Sequence, residues 1–175
     1  MRIRNLLSLC VAVVLACAVR EVLPALHAGV RIPWPAAVAA YFAARREPGW
    51  GFAAALWCGL AQDALDGMGW MFATPLFLGA WYFCLRVVKS QMEVGARAVA
   101  FVATALALAH EAACFAALHL GGGNAAAASP ALLFTRLLII TPAAVVAGFV
   151  VHHFAHRADI ALGNVGEVQI GFRSH

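Results

Sequence analysis

Apolar residues run through this chain in six stretches, which short polar, proline-containing or glycine-rich segments separate. A helix needs about 20 mostly apolar residues to cross about 30 Å of hydrocarbon. The stretches lie at about 5–26, 33–46, 50–66, 70–88, 96–120 and 130–154. Only 11% of the residues are charged, whereas soluble domains carry about 25%. The pattern therefore predicts an all-α integral membrane bundle of six transmembrane helices.

The second stretch is the weakest of the six because it is short. It opens with Pro33 and Pro35 and ends at Arg45 and Arg46. Five spans with a re-entrant second segment is therefore the alternative topology. We assign residues 1–157 to one membrane domain and residues 158–175 to a cytoplasmic tail.

Lysine and arginine are enriched in the cytoplasmic loops of membrane proteins, so their distribution predicts orientation. With a cytoplasmic N-terminus, nine of the twelve fall inside and three fall on or near the outside. The inner group is Arg2, Arg4, Arg45, Arg46, Arg86, Lys89, Arg97, Arg157 and Arg173. We expect both termini to be cytoplasmic, which an even number of spans requires. No basic cluster with interleaved aromatic residues is present, so nucleic acid is not an expected partner.

A stripe of small residues follows one face of the third stretch and ends at a carboxylate. Its members recur every four residues: Gly51, Ala55, Gly59, Asp63 and Gly67. Small residues at this spacing mark faces where membrane helices approach closely. We therefore expect this face to mediate helix packing or a partner contact, with Asp63 inside the bundle.

Several ionisable residues are expected at one depth, in the outer third of the bilayer. They are Arg20, Glu21, Asp63, Glu111 and Arg136. Each charge near the membrane centre costs about 2.5–3.5 kcal/mol on insertion scales, so such groups pair or face water. We expect Arg136 and Arg20 to pair with Asp63 and Glu111. This layer serves either as buried ion pairs that fix helix neighbours or as a polar cavity for a small solute or proton.

Catalytic, cofactor and metal sites are not expected. His152 and His156 have i, i+4 spacing that can hold zinc, but a role beside Arg157 at the membrane interface is favoured. The five cysteines lie inside apolar stretches without CxxC spacing, which favours packing roles. No hydrolase or nucleotide-binding motif is present, so the chain is not expected to be an enzyme.

The segment "YFAARREPGWGFAAALWCGLAQDALDGMGW" resembles the bacterial rod shape-determining protein MreD family. The matching positions, within about 30–90, are Pro33 or Pro35, Tyr41, Gly51, Phe52, Gly59, Leu60, Asp63, Gly67 and Gly69. The chain departs from the family where Ala36 replaces an acid after the leading proline, and its composition is less rich in Leu and Ile.

The resemblance implies a multi-pass protein of the bacterial inner membrane that belongs to the elongation machinery and is not an enzyme. The expected partners are an MreC-like protein, an MreB-like actin, and the glycosyltransferase and transpeptidase of lateral peptidoglycan synthesis. The implied fold is similar to the S component of energy-coupling vitamin transporters. A substrate-binding S component is accordingly the alternative function, with the small residues at 36–40 as a docking face and the outer charged layer as the pocket.

Overall fold

The computed structural model describes residues 2–66, 72–91, 94–120 and 129–163, and its secondary structure in those ranges is helical without strands. The all-α prediction is therefore confirmed for this part of the chain. A single 3₁₀ turn lies at His27–Gly29, and a π-helical turn (Cys84–Val88) and a last turn (Lys89–Gln91) continue α4. The six main helices are α1 (Arg2–Val22), α2 (Trp34–Arg45), α3 (Pro48–Asp66), α4 (Ala73–Phe83), α5 (Ala96–Leu120) and α6 (Pro130–Ala161).

Prolines mark several helix starts. Pro35 lies in the first turn of α2, Pro48 begins α3, and Pro130 follows the N-cap residue Ser129 of α6. Proline suits this position because its φ angle is already helical and its missing N–H would have no partner there. Pro24 helps to end α1, because the helical conformation is disfavoured for the residue that precedes a proline. Accordingly, α1 ends at Val22 rather than at the predicted residue 26.

Helix α2 is the centre of the bundle. It contacts α1, α3, α4, α5 and α6, and every residue from Pro35 to Ala44 is buried. Six of those residues are alanines, whose small side chains let the neighbouring helices approach closely. Its 12 residues rise only about 18 Å, which is less than the hydrocarbon thickness of about 30 Å. The predicted span at 33–46 is thus a short, enclosed helix.

Within the described ranges, three helices are long and apolar enough to cross a membrane, namely Ile3–Val22, Ala96–Leu120 and Pro130–Ala161. The apolar segment Ala73–Val88 is shorter. Only 17% of the apolar window of the first helix and 22% of that of the last is buried inside the bundle. Large apolar side chains such as Leu7, Val14 and Phe134 are consequently exposed. These helices are consistent with a membrane protein, in which lipid would cover such faces.

Helix α6 is longer than the sequence predicted. It continues beyond residue 154 to Ala161 and so includes the first residues of the segment assigned to a tail. The continuation has a physical cause, because Asp159 is buried and accepts hydrogen bonds from Tyr41 and Arg46 of the α2 end. Residues 164–175 of the predicted tail lie outside the described residues.

Candidate functional site

The small-residue stripe of α3 packs against α4 and α2. A Cβ atom placed on Gly59 would lie 2.7 Å from the Cα of Thr74. One placed on Gly51 would lie 2.9 Å from Cδ1 of Trp81 and 3.0 Å from the Cα of Ala43. Real Cβ atoms essentially never lie closer than 3.0 Å to such a neighbour, so a Cβ at Gly59 would force the α4 backbone to shift, and one at Gly51 would force the Trp81 ring to move. The stripe predicted from the sequence therefore contacts neighbouring helices of the same chain.

The stripe has two other small residues, Ala55 and Gly67. Ala55 is fully buried, in keeping with its place between Gly51 and Gly59 on the same face. Gly67 lies outside the described residues.

Asp63, the carboxylate at the end of the stripe, caps the start of α4. Its Oδ1 accepts hydrogen bonds from the backbone N–H groups of Phe72, at 3.0 Å, and Ala73. Its Oδ2 accepts bonds from the backbone N–H of Thr74 at 3.2 Å and from the Thr74 hydroxyl at 2.7 Å. The first N–H groups of a helix have no partner within the helix. Asp63 supplies that partner from a neighbouring helix and so fixes α4 against α3.

The predicted pairing of Asp63 with Arg136 or Arg20 is therefore wrong. The carboxylate is buried, as expected, but hydrogen bonds from backbone and hydroxyl groups compensate for its burial. The arginine contact belongs instead to Asp66, one turn later, which is not among the residues predicted for the charged layer.

Asp66 is the centre of a cluster of polar side chains. Arg20 donates a hydrogen bond from Nη2 to Oδ1 of Asp66. Gln62 donates from Nε2 to Oδ2 at 2.7 Å, and the Nε2 of His110 lies 3.2 Å from the same oxygen. Three helices, α1, α3 and α5, are thereby joined at one carboxylate.

Two further ion pairs complete the charged layer. Arg136 makes a bidentate pair with Glu111, donating from Nε at 2.8 Å and from Nη2 at 3.0 Å. The expected pairing of Glu111 with an arginine is thus present. Glu21 lies 2.5 Å from Nη1 of Arg31, and this hydrogen bond raises the pKa of Arg31 above its usual value.

These groups surround a cavity of about 420 Å³, which we call the charged cavity. Its polar wall combines Gln62 with seven ionisable side chains: Arg20, Glu21, Arg31, Asp66, His110, Glu111 and Arg136. Apolar side chains also line it, including Phe77, Leu106, Phe115, Leu132, Leu133 and Ile140. Binding sites for small molecules commonly occupy about 300–1,000 Å³ and combine an apolar wall with a few polar groups. Among the residues predicted for the charged layer, four line this cavity and Asp63 does not.

Arg20 is the least satisfied group of the charged cavity. The residue is only 7% exposed, and its Nη1 has no hydrogen-bond partner among the described residues. The nearest carboxylate oxygen of Glu21 is 4.0 Å away, which is beyond hydrogen-bond distance. Arg20 lines the cavity, so a buried guanidinium nitrogen without a hydrogen-bond partner in the described part of the chain belongs to the residues of its wall.

A second polar cluster lies at the opposite end of the bundle, where α2 ends and α3 begins. The Tyr41 hydroxyl donates to Oδ2 of Asp159 at 2.5 Å, and Arg46 donates to Oδ1 of the same carboxylate. The Lys89 ammonium donates to the backbone carbonyl of Arg46 at 2.6 Å, and burial lowers the pKa of Lys89. These contacts join α2, α6 and the end of α4. We call this group the tyrosine–aspartate cluster.

The histidines of α6 lie beside this cluster. Arg45 donates to the Val94 carbonyl at 2.7 Å, and its Nη2 lies 3.2 Å from Nδ1 of His156. The rings of His152 and His156 stack with centroids 5.5 Å apart. Among the described residues, no group of three or more His, Cys, Asp or Glu side chains could hold a metal ion.

Comparisons of the chain with protein-family models, with curated proteins and with solved structures gave no match. The class of protein therefore rests on the fold and the site. The described residues form an all-helical bundle, consistent with a membrane protein, that has a charged cavity at one end and a tyrosine–aspartate cluster at the other.

Proposed function

We propose that this chain is a non-enzymatic inner-membrane subunit of the cell-elongation machinery that supports lateral peptidoglycan synthesis. The proposal rests on the resemblance of residues 30–90 to the MreD family. Its partners would be an MreC-like protein, an MreB-like actin, and the elongation glycosyltransferase and transpeptidase.

The contacts of the motif residues in the structure also support the proposal. The motif residues Gly51, Gly59, Asp63 and Tyr41 all make close contacts that fix α2, α3, α4 and α6 against one another. The motif thus specifies a packed helical unit rather than a reactive centre. Such a role for the motif is what a subunit that presents a fixed surface to partners requires.

In the proposed topology the bundle makes six membrane passes, with both termini in the cytoplasm. Arg46 and Lys89 of the tyrosine–aspartate cluster lie at one end of the bundle together with Arg45 beside them, and we place that end at the cytoplasmic side. The charged cavity, with Arg20, Arg31 and Arg136, then lies toward the outer side. The shortest predicted pass is α2, with 12 residues, and the apolar segment Ala73–Val88 is also shorter than the three long helices. The helices around α2 would shield its ends from lipid.

Co-purification tests the proposal directly. The tagged protein is extracted from its native bacterial membrane in mild detergent, and recovered proteins and small molecules are identified by mass spectrometry. An unrelated membrane protein with the same tag and matched abundance is the control. Specific recovery of an MreC-like protein and the elongation transpeptidase is expected. If neither is enriched over the control, the scaffold proposal fails.

The alternative function is the substrate-binding S component of an energy-coupling vitamin transporter. The charged cavity is the observation that favours it. The burial of Ala36 and Ala40 inside the bundle opposes it, because the predicted docking face at 36–40 is covered by the chain's own helices. Recovery of an ATPase module or a bound vitamin in the same experiment would favour this alternative.

A further inference from the structure

We propose that the charged cavity binds an amphipathic anion, with a carboxylate or phosphate oxygen on Nη1 of Arg20 and an apolar body against the leucine and phenylalanine wall. The proposal concerns the isolated chain and does not depend on the scaffold function. It rests on a contrast between the carboxylates of the cavity, which have hydrogen-bonded partners, and a nitrogen of Arg20, which has none among the described residues.

The carboxylates of the cavity already have cationic partners. Glu111 is held by both donors of Arg136, and Glu21 is held by Arg31. Asp66 accepts bonds from Arg20 and Gln62. An added cation would therefore have to displace an existing partner from one of these acids.

The buried group of the cavity that lacks a partner in the described ranges needs a hydrogen-bond acceptor. Nη1 of Arg20 is a donor that lacks a partner among the described residues and is buried in the cavity wall. A buried donor without an acceptor carries its full desolvation cost. Hydrogen bonds between a guanidinium group and an anionic oxygen are shorter and stronger than neutral ones. An oxyanion is consequently the ligand group that this position recognises best.

The rest of the wall selects an apolar body. Phe77, Leu106, Leu132, Leu133 and Ile140 also line the cavity. A fully hydrated inorganic anion would leave this surface uncovered, whereas an alkyl or aromatic group would bury it. The two walls together define a ligand with one anionic end and one apolar end.

Two sources supply this chemistry, a water-soluble amphipathic carboxylate and an anionic lipid of the bilayer. Octanoate represents the first, and octylammonium is its control with the same chain and the opposite charge. The purified protein is placed in phosphatidylcholine nanodiscs, and both probes are titrated by calorimetry. The second source is tested in nanodiscs that also contain phosphatidylglycerol, with native mass spectrometry to count retained lipids.

Three variants test the assignment. Arg20→Gln removes the charged guanidinium with its Nη1 donor, and Leu133→Trp fills the apolar part while it keeps every charge. Arg97→Gln is the matched control, because Arg97 is exposed and does not line the cavity. Circular dichroism and gel filtration establish that each variant is folded. Should Arg20→Gln fail to fold, Leu133→Trp still tests the site.

We expect octanoate to bind at least about tenfold more tightly than octylammonium, since the charge-assisted hydrogen bond distinguishes them. Arg20→Gln should weaken octanoate binding about tenfold or more, Leu133→Trp should abolish it, and Arg97→Gln should leave it unchanged. If the bilayer is the source, one phosphatidylglycerol stays bound, competes with octanoate and is lost from the first two variants. The proposal is overturned by equal affinity for both probes, by wild-type binding in either cavity variant, or by retention of neither octanoate nor lipid.

Discussion

Gly59 of α3 and Thr74 of α4 pack so closely that a Cβ atom on Gly59 would lie 2.7 Å from the Thr74 Cα. The same pair of helices is joined by Asp63, which accepts two hydrogen bonds from Thr74. A close backbone approach and a side-chain cap therefore act one helical turn apart on the same face. The motif Gly-Leu-x-x-Asp at 59–63 has a clear structural meaning here: its first and last residues fix α4 on α3.

Gly59→Ala is expected to destabilise the protein although alanine favours helix. Overpacking of a close contact costs about 1–3 kcal/mol, which exceeds the gain of about 0.5–1 kcal/mol from replacing a helical glycine. Gly79→Ala is the matched control, because a Cβ at Gly79 would meet no atom within 4 Å. Thermal unfolding in detergent should give a lower midpoint for Gly59→Ala and an unchanged or higher one for Gly79→Ala. Equal midpoints would show that the helices do not approach as described.

The partner of Arg20 is Asp66 rather than Asp63, and a double-mutant cycle distinguishes the two. Arg20→Gln combined with Asp66→Asn should show a coupling energy of about 0.5–3 kcal/mol, as contacting residues do. Arg20→Gln combined with Asp63→Asn should be additive to within about 0.3–0.5 kcal/mol. Both cycles are measured by denaturant or thermal unfolding under the same conditions. Strong coupling to Asp63 alone would restore the pairing that the sequence suggested.

The sequence predicted the helical class and most helix positions because apolar runs and turn residues act locally. It also identified the stripe of α3, since spacing by four residues places small side chains on one helix face. It selected the wrong aspartate for the arginine contact. Asp63 and Asp66 lie three residues apart, and sequence spacing does not say which one faces a neighbouring helix start and which one faces Arg20.

The tyrosine–aspartate cluster was missed for a related reason. Asp159 follows an apolar run and falls in the predicted cytoplasmic tail, whereas Tyr41 enters the sequence prediction only as a position of the family motif. Their contact joins residues 118 positions apart, and no local sequence pattern predicts a contact over that separation. The sequence predicts the cavity only as one of two uses of a charged layer, because its volume depends on how the helices that line it pack against one another.

Tyr41→Phe is expected to destabilise the protein by about 1–3 kcal/mol, because it removes a hydrogen bond to a buried carboxylate. Tyr82, the other of the two tyrosines in the chain, provides the control. It is 53% exposed, so Tyr82→Phe should change stability by less than about 0.5 kcal/mol. Thermal unfolding of the two variants in one detergent makes the comparison direct. A Tyr41→Phe variant as stable as Tyr82→Phe would contradict the buried bond to Asp159.

Site-directed thiol labelling tests the proposed orientation of the bundle. Ala25 lies near the charged cavity end and Gly49 lies near the tyrosine–aspartate cluster, and both are exposed. A membrane-impermeant maleimide applied to intact spheroplasts should label Ala25→Cys, whereas Gly49→Cys should react only after permeabilisation. The reason is that Arg45, Arg46 and Lys89 gather at the second end, and such residues favour the cytoplasmic side. The wild-type chain, with its five native cysteines, gives the background. Reversed labelling would place the charged cavity on the cytoplasmic side, and labelling of both positions in intact spheroplasts would contradict a transmembrane arrangement of the two ends.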